Sequence, residues 1–424
     1  MRLLHIVHQY PPDFRGGTEY YTQMLAAAQA ETGHMTAVFA PAPVAGPPNL
    51  SDQVENGVQV YRAAVGQRSR TQVFWQSFRQ PGLRATFNDV LELAQPELVH
   101  IQHLMGLPFD LIDDLEAAAL PFVVTLHDYW YQCANAQLIT NTDGSLCAGP
   151  DASGVNCASC ALARGGYGSL DWTAPAVAPL LRRRNTLAAS VLARAARIIA
   201  PTRFVFETYR PFGLPLEKTV VVPHGIDLPL DAIAAARHLR ATRAADGRLH
   251  IGYVGSVGEL KGLHVLIDAV NRLPADKVTL TIYGGLEAFP AYVTGLKQQA
   301  QHPGITFAGA VNRDMLWQAM ADFDVVVLPT LWYEVSPLVI DEVFAMGIPI
   351  VAADIGAMQE KVNDGIDGRR FPPGDAAALA DILADLLRDP SQLRRWEQGI
   401  PPVQVVSQHM KAIEEVYAQA LDSV

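Results

Sequence analysis

The most constraining stretch of the chain lies at residues 324–353. Asp324-Val325-Val326-Val327-Leu328-Pro329-Thr330 is a β-branched run closed by proline, which reads as a buried parallel strand. Trp332-Tyr333-Glu334-Val335 follows as a loop. Ser336-Pro337 has the form of an N-cap and a first helical residue, predicting a helix over 338–346 closed by Gly347. Ile348-Pro349-Ile350-Val351 opens the next strand. Strand, loop and helix start in this order put unpaired amides and about half a positive charge at the edge of a sheet. Glu334 in the loop and Glu342 about one turn into the helix bracket that start. Phosphates and vicinal sugar hydroxyls are the ligands such a place suits.

The same alternation runs through the rest of the chain. At 424 residues the sequence exceeds one ordinary core, and two domains of about 200 residues are expected. In the first half, 3–7, 36–40, 58–62, 98–103, 122–128, 197–201 and 219–223 read as strands. Helices are expected over 20–31 and 72–93, the latter broken at Pro81-Gly82. After Asp227 an alanine- and arginine-rich stretch, 228–247, reads as an interdomain connection. The pattern then restarts, with strands at 250–255, 278–283, 305–309 and 324–328, and helices at 316–321 and 376–387. The predicted architecture is α/β: two facing Rossmann-like, doubly wound parallel-sheet domains, 1–227 and 248–403. A last helix, 404–424, completes the chain.

Half the residues are hydrophobic and 18% are charged, as in a well-packed globular protein. No apolar run approaches the length of a membrane span, and the first apolar run is too short for a signal peptide. The formal charge of −11 argues against general nucleic-acid affinity. A cytoplasmic location is expected. Arg68, Arg70, Arg79 and Arg84 interleave with Phe74, Trp75 and Phe78, and a second basic group holds Arg182, Arg183, Arg184, Arg194 and Arg197. Both leave a peripheral contact with the inner membrane face open, although a solvated amphipathic face is the plainer reading.

Cys133, Cys147, Cys157 and Cys160 are the only cysteines, crowded into one turn-rich segment, 133–160. In a cytoplasmic protein this grouping, ending in C-x2-C, points to four thiolates on a structural zinc. An iron–sulfur cluster fits the same count, and four unlinked thiols in a long loop are the alternative without metal.

The remaining candidates lie at strand ends, where open parallel sheets bind ligands. Gly16-Gly17 stands between the first strand and its helix and lets a phosphate or sugar approach the backbone. His127 and His103 follow two buried strands. Lys261 stands six residues after Gly255 at a strand-to-helix turn, where an ammonium reaches a phosphate. With Lys261, Glu334, Glu342 and the helix start in one half, a nucleoside diphosphate is the economical ligand. The one D-x-D, Asp322-Phe323-Asp324, opens a buried strand and reads as structural. The leaving diphosphate is therefore expected to rely on Lys261 and backbone amides, with no cofactor required for catalysis.

Gly16-Gly17-Thr18-Glu19, Thr125-Leu126-His127-Asp128, Val222-Pro223-His224-Gly225-Ile226-Asp227, the run from Gly255 to Gly262 and that from Glu334 to Glu342 together resemble the retaining GT-B glycosyltransferases of family 4. The resemblance spans nearly the whole chain. It implies a sugar nucleotide donor, UDP- or GDP-linked, bound mainly by the second domain, and a glycan, lipid-linked or small-molecule acceptor on the first. It further implies a role in bacterial polysaccharide or glycoconjugate synthesis, and a last helix that crosses back onto the first domain. By the same resemblance, Glu342 meets the ribose, Glu334 lies near the donor sugar, and Val335, Ser336, Pro337 and Leu338 contact sugar and diphosphate. Lys261 and Gly17 face phosphate, and His127 the C6 end of the sugar. The family often has arginine directly after the glycine matching Gly255; here Ser256 stands there. A sugar-nucleotide epimerase of the same fold and a non-catalytic sugar-nucleotide-binding protein are the competing readings.

Overall fold

The computed structural model describes residues 1–14, 16–46 and 49–423. They form two compact units, Met1–Gly225 with Val406–Val424, and Ile226–Val405. The first unit holds β1 (Arg2–Ile6), β2 (Met35–Ala42), β3 (Leu50–Glu55), β4 (Val58–Ala64), β5 (Leu98–Ile101), β6 (Phe122–Thr125), β7 (Arg197–Ala200) and β8 (Thr219–Val221). They make one sheet in the order β3-β4-β2-β1-β5-β6-β7-β8. Every pairing is parallel except β3 with β4. β3 is absent from the sequence-based reading because it carries no run of apolar residues. It is an exposed edge strand with Asp52 and Glu55, and its signal is the turn Asn56-Gly57, with φ of 50° and 79°.

The second unit holds β9 (Leu249–Val254), β10 (Val278–Tyr283), β11 (Ile305–Gly309), β12 (Val325–Leu328), β13 (Ile350–Ala353) and β14 (Gly368–Phe371). Their order is β11-β10-β9-β12-β13-β14, all parallel. The strand order reverses beside β1 in the first sheet and between β9 and β12 in the second, and crevices form beyond such reversals. β12 and β13 are buried on both faces, as their continuous apolar runs require.

Two expectations are corrected. Residues 228–247 are not a plain connection: Leu230–Thr242 is a helix of the second unit, with Ile233 and Ala236 packed among Leu316, Trp317 and Met320. Alanine favours helix and these two residues supply its apolar stripe. Ser336 does not cap the helix after β12. That helix is Leu338–Ala345 and Pro337 is its extended N-cap residue, with ψ of 108°. With Pro337 still extended, the first helical residue is Leu338, one step beyond the expected proline start.

The last helix, Val406–Leu421, belongs to the first unit. Met410, Ile413, Val416, Tyr417 and Ala420 recur at helical spacing and bury against Leu3, Tyr21, Leu25 and Leu98. Ile226 and Val405, where the chain enters and leaves the second unit, pair as a parallel bridge.

Candidate active site

In the second unit the site is built from the loops that follow β9 and β12. Gly255 ends β9 with φ of +156°, and its amide donates to the Tyr283 carbonyl at 3.0 Å. Ser256 is exposed. The chain then makes the short turn Glu259–Lys261 and passes through Gly262, at φ +68°. A Cβ at Gly262 would lie 1.9 Å from the Pro329 carbonyl oxygen, so only glycine lets the two loops meet here. The Leu331 amide donates to Leu260 O at 2.8 Å and joins them.

This join sets Lys261 against Glu334. The Lys261 ammonium donates to Glu334 Oε1 at 2.6 Å. Trp332 Nε1–H donates to the same oxygen at 2.8 Å, and the Thr330 hydroxyl lies 3.3 Å from both it and the Leu260 carbonyl oxygen, which share its one proton. The Lys261 nitrogen also lies 5.6 Å from the centre of the Trp332 ring. Glu334 is buried, and its backbone carbonyl accepts from the Ala357 amide at 3.1 Å. Its Oε2 has no hydrogen bond among the described residues. Lys261 and Trp332 thus hold one carboxylate oxygen and leave the other available.

Beyond Glu334, Val335 is buried and the Ser336 hydroxyl is buried without a hydrogen-bond partner among the described residues. No side chain caps the Leu338–Ala345 helix, so its first amides remain donors for a ligand. Glu342 is buried, and its Oε1 pairs with Arg313 Nη2 at 2.6 Å. The sequence-based reading missed Arg313. It opens a separate helix, Arg313–Met320, and only the tertiary fold brings it to Glu342. Asp324 pairs with Arg243 and accepts from the His250 amide at 2.8 Å, which occupies the D-x-D in holding the strand start.

In the first unit, Gly16 is the N-cap of the Gly17–Glu31 helix. A Cβ on it would come within 2.4 Å of Glu19 Oε2, whereas Gly17 faces open space. Glu19 is buried, which raises its carboxyl above the usual range, and its Oε1 lies 3.6 Å from His8 Nε2. His127 follows β6 and bonds through Nε2 to Gln102 Oε1 at 2.7 Å. Burial, then the nearby His103 and His409, lower its pKa to about 3, so the ring is neutral at ordinary pH. Tyr21 and His224 pack against it, with ring centres 4.9 and 5.2 Å away. His103 is held at both nitrogens: Nε2 lies 2.9 Å from Asp128 Oδ2, and Nδ1 accepts the Met105 amide at 3.0 Å.

The four cysteines are free thiols that line one cavity of about 50 Å³. Cys157 and Cys160 lie in the helix Val155–Arg164, which replaces the expected loop. Amides of Asn135, Gln137 and Leu138 point at the Cys133 sulfur. Gly149 N–H donates to Cys147 Sγ at 3.3 Å, and Asn141 N–H to Cys160 Sγ at 3.3 Å. Burial and then the other three thiols push Cys157 up to about 12. Among the described residues, no three His, Cys, Asp or Glu side chains are drawn together closely enough to hold a metal ion as they stand.

The basic stretches are largely engaged internally. Arg84 pairs with Asp110 and Asp114, Arg68 donates to Gly106 O, and buried Arg184 lies 4.5 Å over the Trp130 ring. Among the described residues no helix is long and apolar enough to cross a membrane.

Two family models match the chain. "Glycosyl transferase 4-like domain" covers residues 16–225 and "Glycosyl transferases group 1" covers 248–389. A D-inositol 3-phosphate glycosyltransferase of Xylanimonas cellulosilytica is 33% identical over 222 residues, 49% of this chain and 52% of that protein. The chain thus spans about half the length of that relative. A glycogen synthase of Mycobacterium tuberculosis is 27% identical over 93% of this chain and 88% of its own. Among solved structures, sucrose-phosphate synthase from Thermosynechococcus elongatus superposes with a TM-score of 0.75 at 19% identity, covering 100% of this chain and 99% of that one. Anabaena HepE in complex with UDP and glucose gives 0.66 at 20% identity, covering 99% of each. With both family models matched in order and two parallel-sheet units of this topology, the chain belongs to the group 1, family 4 glycosyltransferases of GT-B fold.

Proposed function

We propose that this chain transfers a sugar, with retention of anomeric configuration, from a nucleoside diphosphate sugar to a hydroxyl of a glycan, lipid-linked or small-molecule acceptor. The carrying observation is the Lys261–Glu334 pair at the reversal of the second sheet, with Glu334 Oε1 held by Lys261 and Trp332 and Oε2 left available. In the transfer the acceptor oxygen bonds to the anomeric carbon as the carbon–phosphate-oxygen bond breaks. The electron pair leaves with the nucleoside diphosphate, whose phosphate oxygen takes the acceptor proton. Lys261 and the uncapped amides of the Leu338–Ala345 helix stabilise the charge that develops on the leaving group. Glu334 Oε2 and the neutral ring of His127 bond sugar hydroxyls, and Glu342 the ribose. Gly17 leaves room for a phosphate. The engagement of Asp324 with Arg243 and His250 supports a reaction that needs no divalent ion.

UDP-sugars are the first donors to try, since HepE of the same fold was solved with UDP-glucose. The test is a thermal-shift screen of nucleoside diphosphates and their sugars, as binding raises apparent stability. Transfer by the selected donor, with and without chelator, follows, and NMR gives the anomeric configuration of the product. An inverted product removes the retaining mechanism. Release of a free epimerised sugar selects the epimerase reading, and donor binding without release of the diphosphate selects the binding-protein reading.

We also propose that Cys133, Cys147, Cys157 and Cys160 close on one structural zinc ion. The shared cavity, the amides directed at three of the sulfurs and the C-x2-C on one helix support it. Such amides stabilise metal-bound thiolates, and metal sites commonly complete themselves only on binding. Metal analysis of the purified protein tests this, with Cys157→Ser as control. Iron and sulfide in place of zinc select a cluster, and metal well below one per chain removes the proposal.

A further inference from the structure

Beneath His127, buried side chains continue the hydrogen bond it makes. His127 Nε2 meets Gln102 Oε1 at 2.7 Å, and Gln102 Nε2 meets His5 Nδ1 at 3.0 Å. His5 Nε2 meets Gln29 Oε1 at 2.6 Å, and Gln29 Nε2 donates to the Tyr417 hydroxyl at 3.0 Å. Tyr417 Oη meets His100 Nδ1 at 2.7 Å, and His100 Nε2 meets Thr125 Oγ1 at 2.7 Å. His5, Gln29, His100, Gln102, Thr125 and Tyr417 are each 0% exposed. β1 and β5 place His5 beside His100, β6 supplies Thr125, and the last helix supplies Tyr417.

A neutral imidazole has one donor and one acceptor nitrogen, and a side-chain amide has one donor end and one acceptor end. Fixing the donor sense of one bond therefore fixes the next. With both amides as they stand, each bond of the line joins one donor to one acceptor: His127 to Gln102, Gln102 to His5, His5 to Gln29, Gln29 to Tyr417, Tyr417 to His100, His100 to Thr125. Reversing a bond between His127 and Gln29 sets two donors or two acceptors against each other in the interior and leaves a buried group unsatisfied, whereas the hydroxyls of Tyr417 and Thr125 can serve either way. Water cannot relieve such a mismatch where no side chain in the line is exposed. From His127 to Tyr417 the line therefore holds one sense.

We propose that this line fixes His127 as its Nε2–H tautomer, so that Nδ1 is presented as a hydrogen-bond acceptor, and that Gln102 and His5 are positioning residues for it. His127 retains partial solvent access, and its Nδ1 makes no hydrogen bond among the described residues. That nitrogen takes a hydrogen bond from a sugar hydroxyl and gives none. The last helix contributes through Tyr417, which joins the line halfway along. The use of Nδ1 in turnover rests on the glycosyl-transfer reading above; the tautomer does not.

The test is long-range ¹H–¹⁵N NMR of the full chain labelled with ¹⁵N-histidine, with His127 assigned by the signals lost in His127→Gln. At neutral pH the wild type is expected to show His127 wholly as Nε2–H. Gln102→Met should give a mixture of the two tautomers. Gln102→Glu, whose carboxylate accepts from both sides, should keep His127 as Nε2–H and turn His5 to Nδ1–H. With the sugar nucleotide chosen by the thermal-shift screen, Gln102→Met should lower kcat about tenfold at unchanged KM, and Gln102→Glu should restore most of it. An Nδ1–H or mixed His127 in the wild type overturns the proposal, and this spectrum needs no mutant to fold. Unchanged His127 signals in Gln102→Met overturn it as well. A wild type that shows the expected tautomer and transfers no sugar counts against the glycosyl-transfer reading alone.

Discussion

The two sheets place different chemistry at their reversals. In the first unit, the side chains beside β1 are neutral: His5, His100, His127 and two glutamines, linked by hydrogen bonds and, His127 apart, buried. In the second, beside β9 and β12, they are charged: Lys261 on Glu334, and Arg313 on Glu342. The contrast follows from desolvation. A buried ion needs a partner, whereas neutral groups can be taken inside if every donor finds an acceptor. Charged pairs suit the anionic half of a sugar nucleotide. Neutral, oriented groups suit hydroxyls, where direction matters more than charge.

The sharpest way to break the comparison is to separate the charged loops. Gly262→Ala puts a Cβ at 1.9 Å from Pro329 O with φ at +68°. We expect a loss of about 3 kcal/mol or more in the unfolding of the second unit, read from denaturant midpoints. Removing the cation is next. Lys261→Met should lower turnover by about 10²–10³-fold, as loss of a group that stabilises developing charge does. A variant within threefold of wild type would take Lys261 out of the chemistry.

The neutral region should be the acid-sensitive one. His5 and His409 are lowered from 6.5 to about 4, and His127 to about 3, in each case chiefly by burial. Their folded values lie below the unfolded one, so their contribution to stability is complete above pH 6.5. It is lost as the pH falls towards 4 and the unfolded chain binds the protons. Each such histidine adds up to about 1.4 kcal/mol per pH unit to that slope. Glu19, raised by burial, works in the opposite sense at lower pH. Urea midpoints from pH 7.5 to 4.5 check this, and His5→Gln should flatten the curve. A wild-type midpoint constant to pH 4.5 would refute it. The smallest expected change is Glu342→Ala, about tenfold weaker donor binding for a lost hydrogen-bonded carboxylate. Unchanged affinity would assign Glu342 to Arg313 alone.

Much of this was legible before the fold. Continuous apolar runs announce β12 and β13, because a strand covered on both faces needs them. Gly255, Gly262, Lys261 and Glu334 could be picked out because glycines at strand ends and charges beside helix starts have few other uses. β3 was hidden by its exposure, and Arg313 by its 29-residue distance from Glu342. His5, Gln29 and Tyr417 carry no local signal, because their partners lie 24 to 388 positions away along the chain.

By itself, the sequence determined two alternating strand–helix series and the placing of Lys261, Glu334 and His127 just beyond strands, since local pattern and strand-end position are properties of the chain. Only the tertiary structure decided which oxygen of Glu334 is held, that Arg313 claims Glu342, and that Tyr417 reaches His100 across 317 positions. Hydrogen bonds act over about 3 Å and take no account of separation along the chain, so such partners exist only once the packing has brought them together.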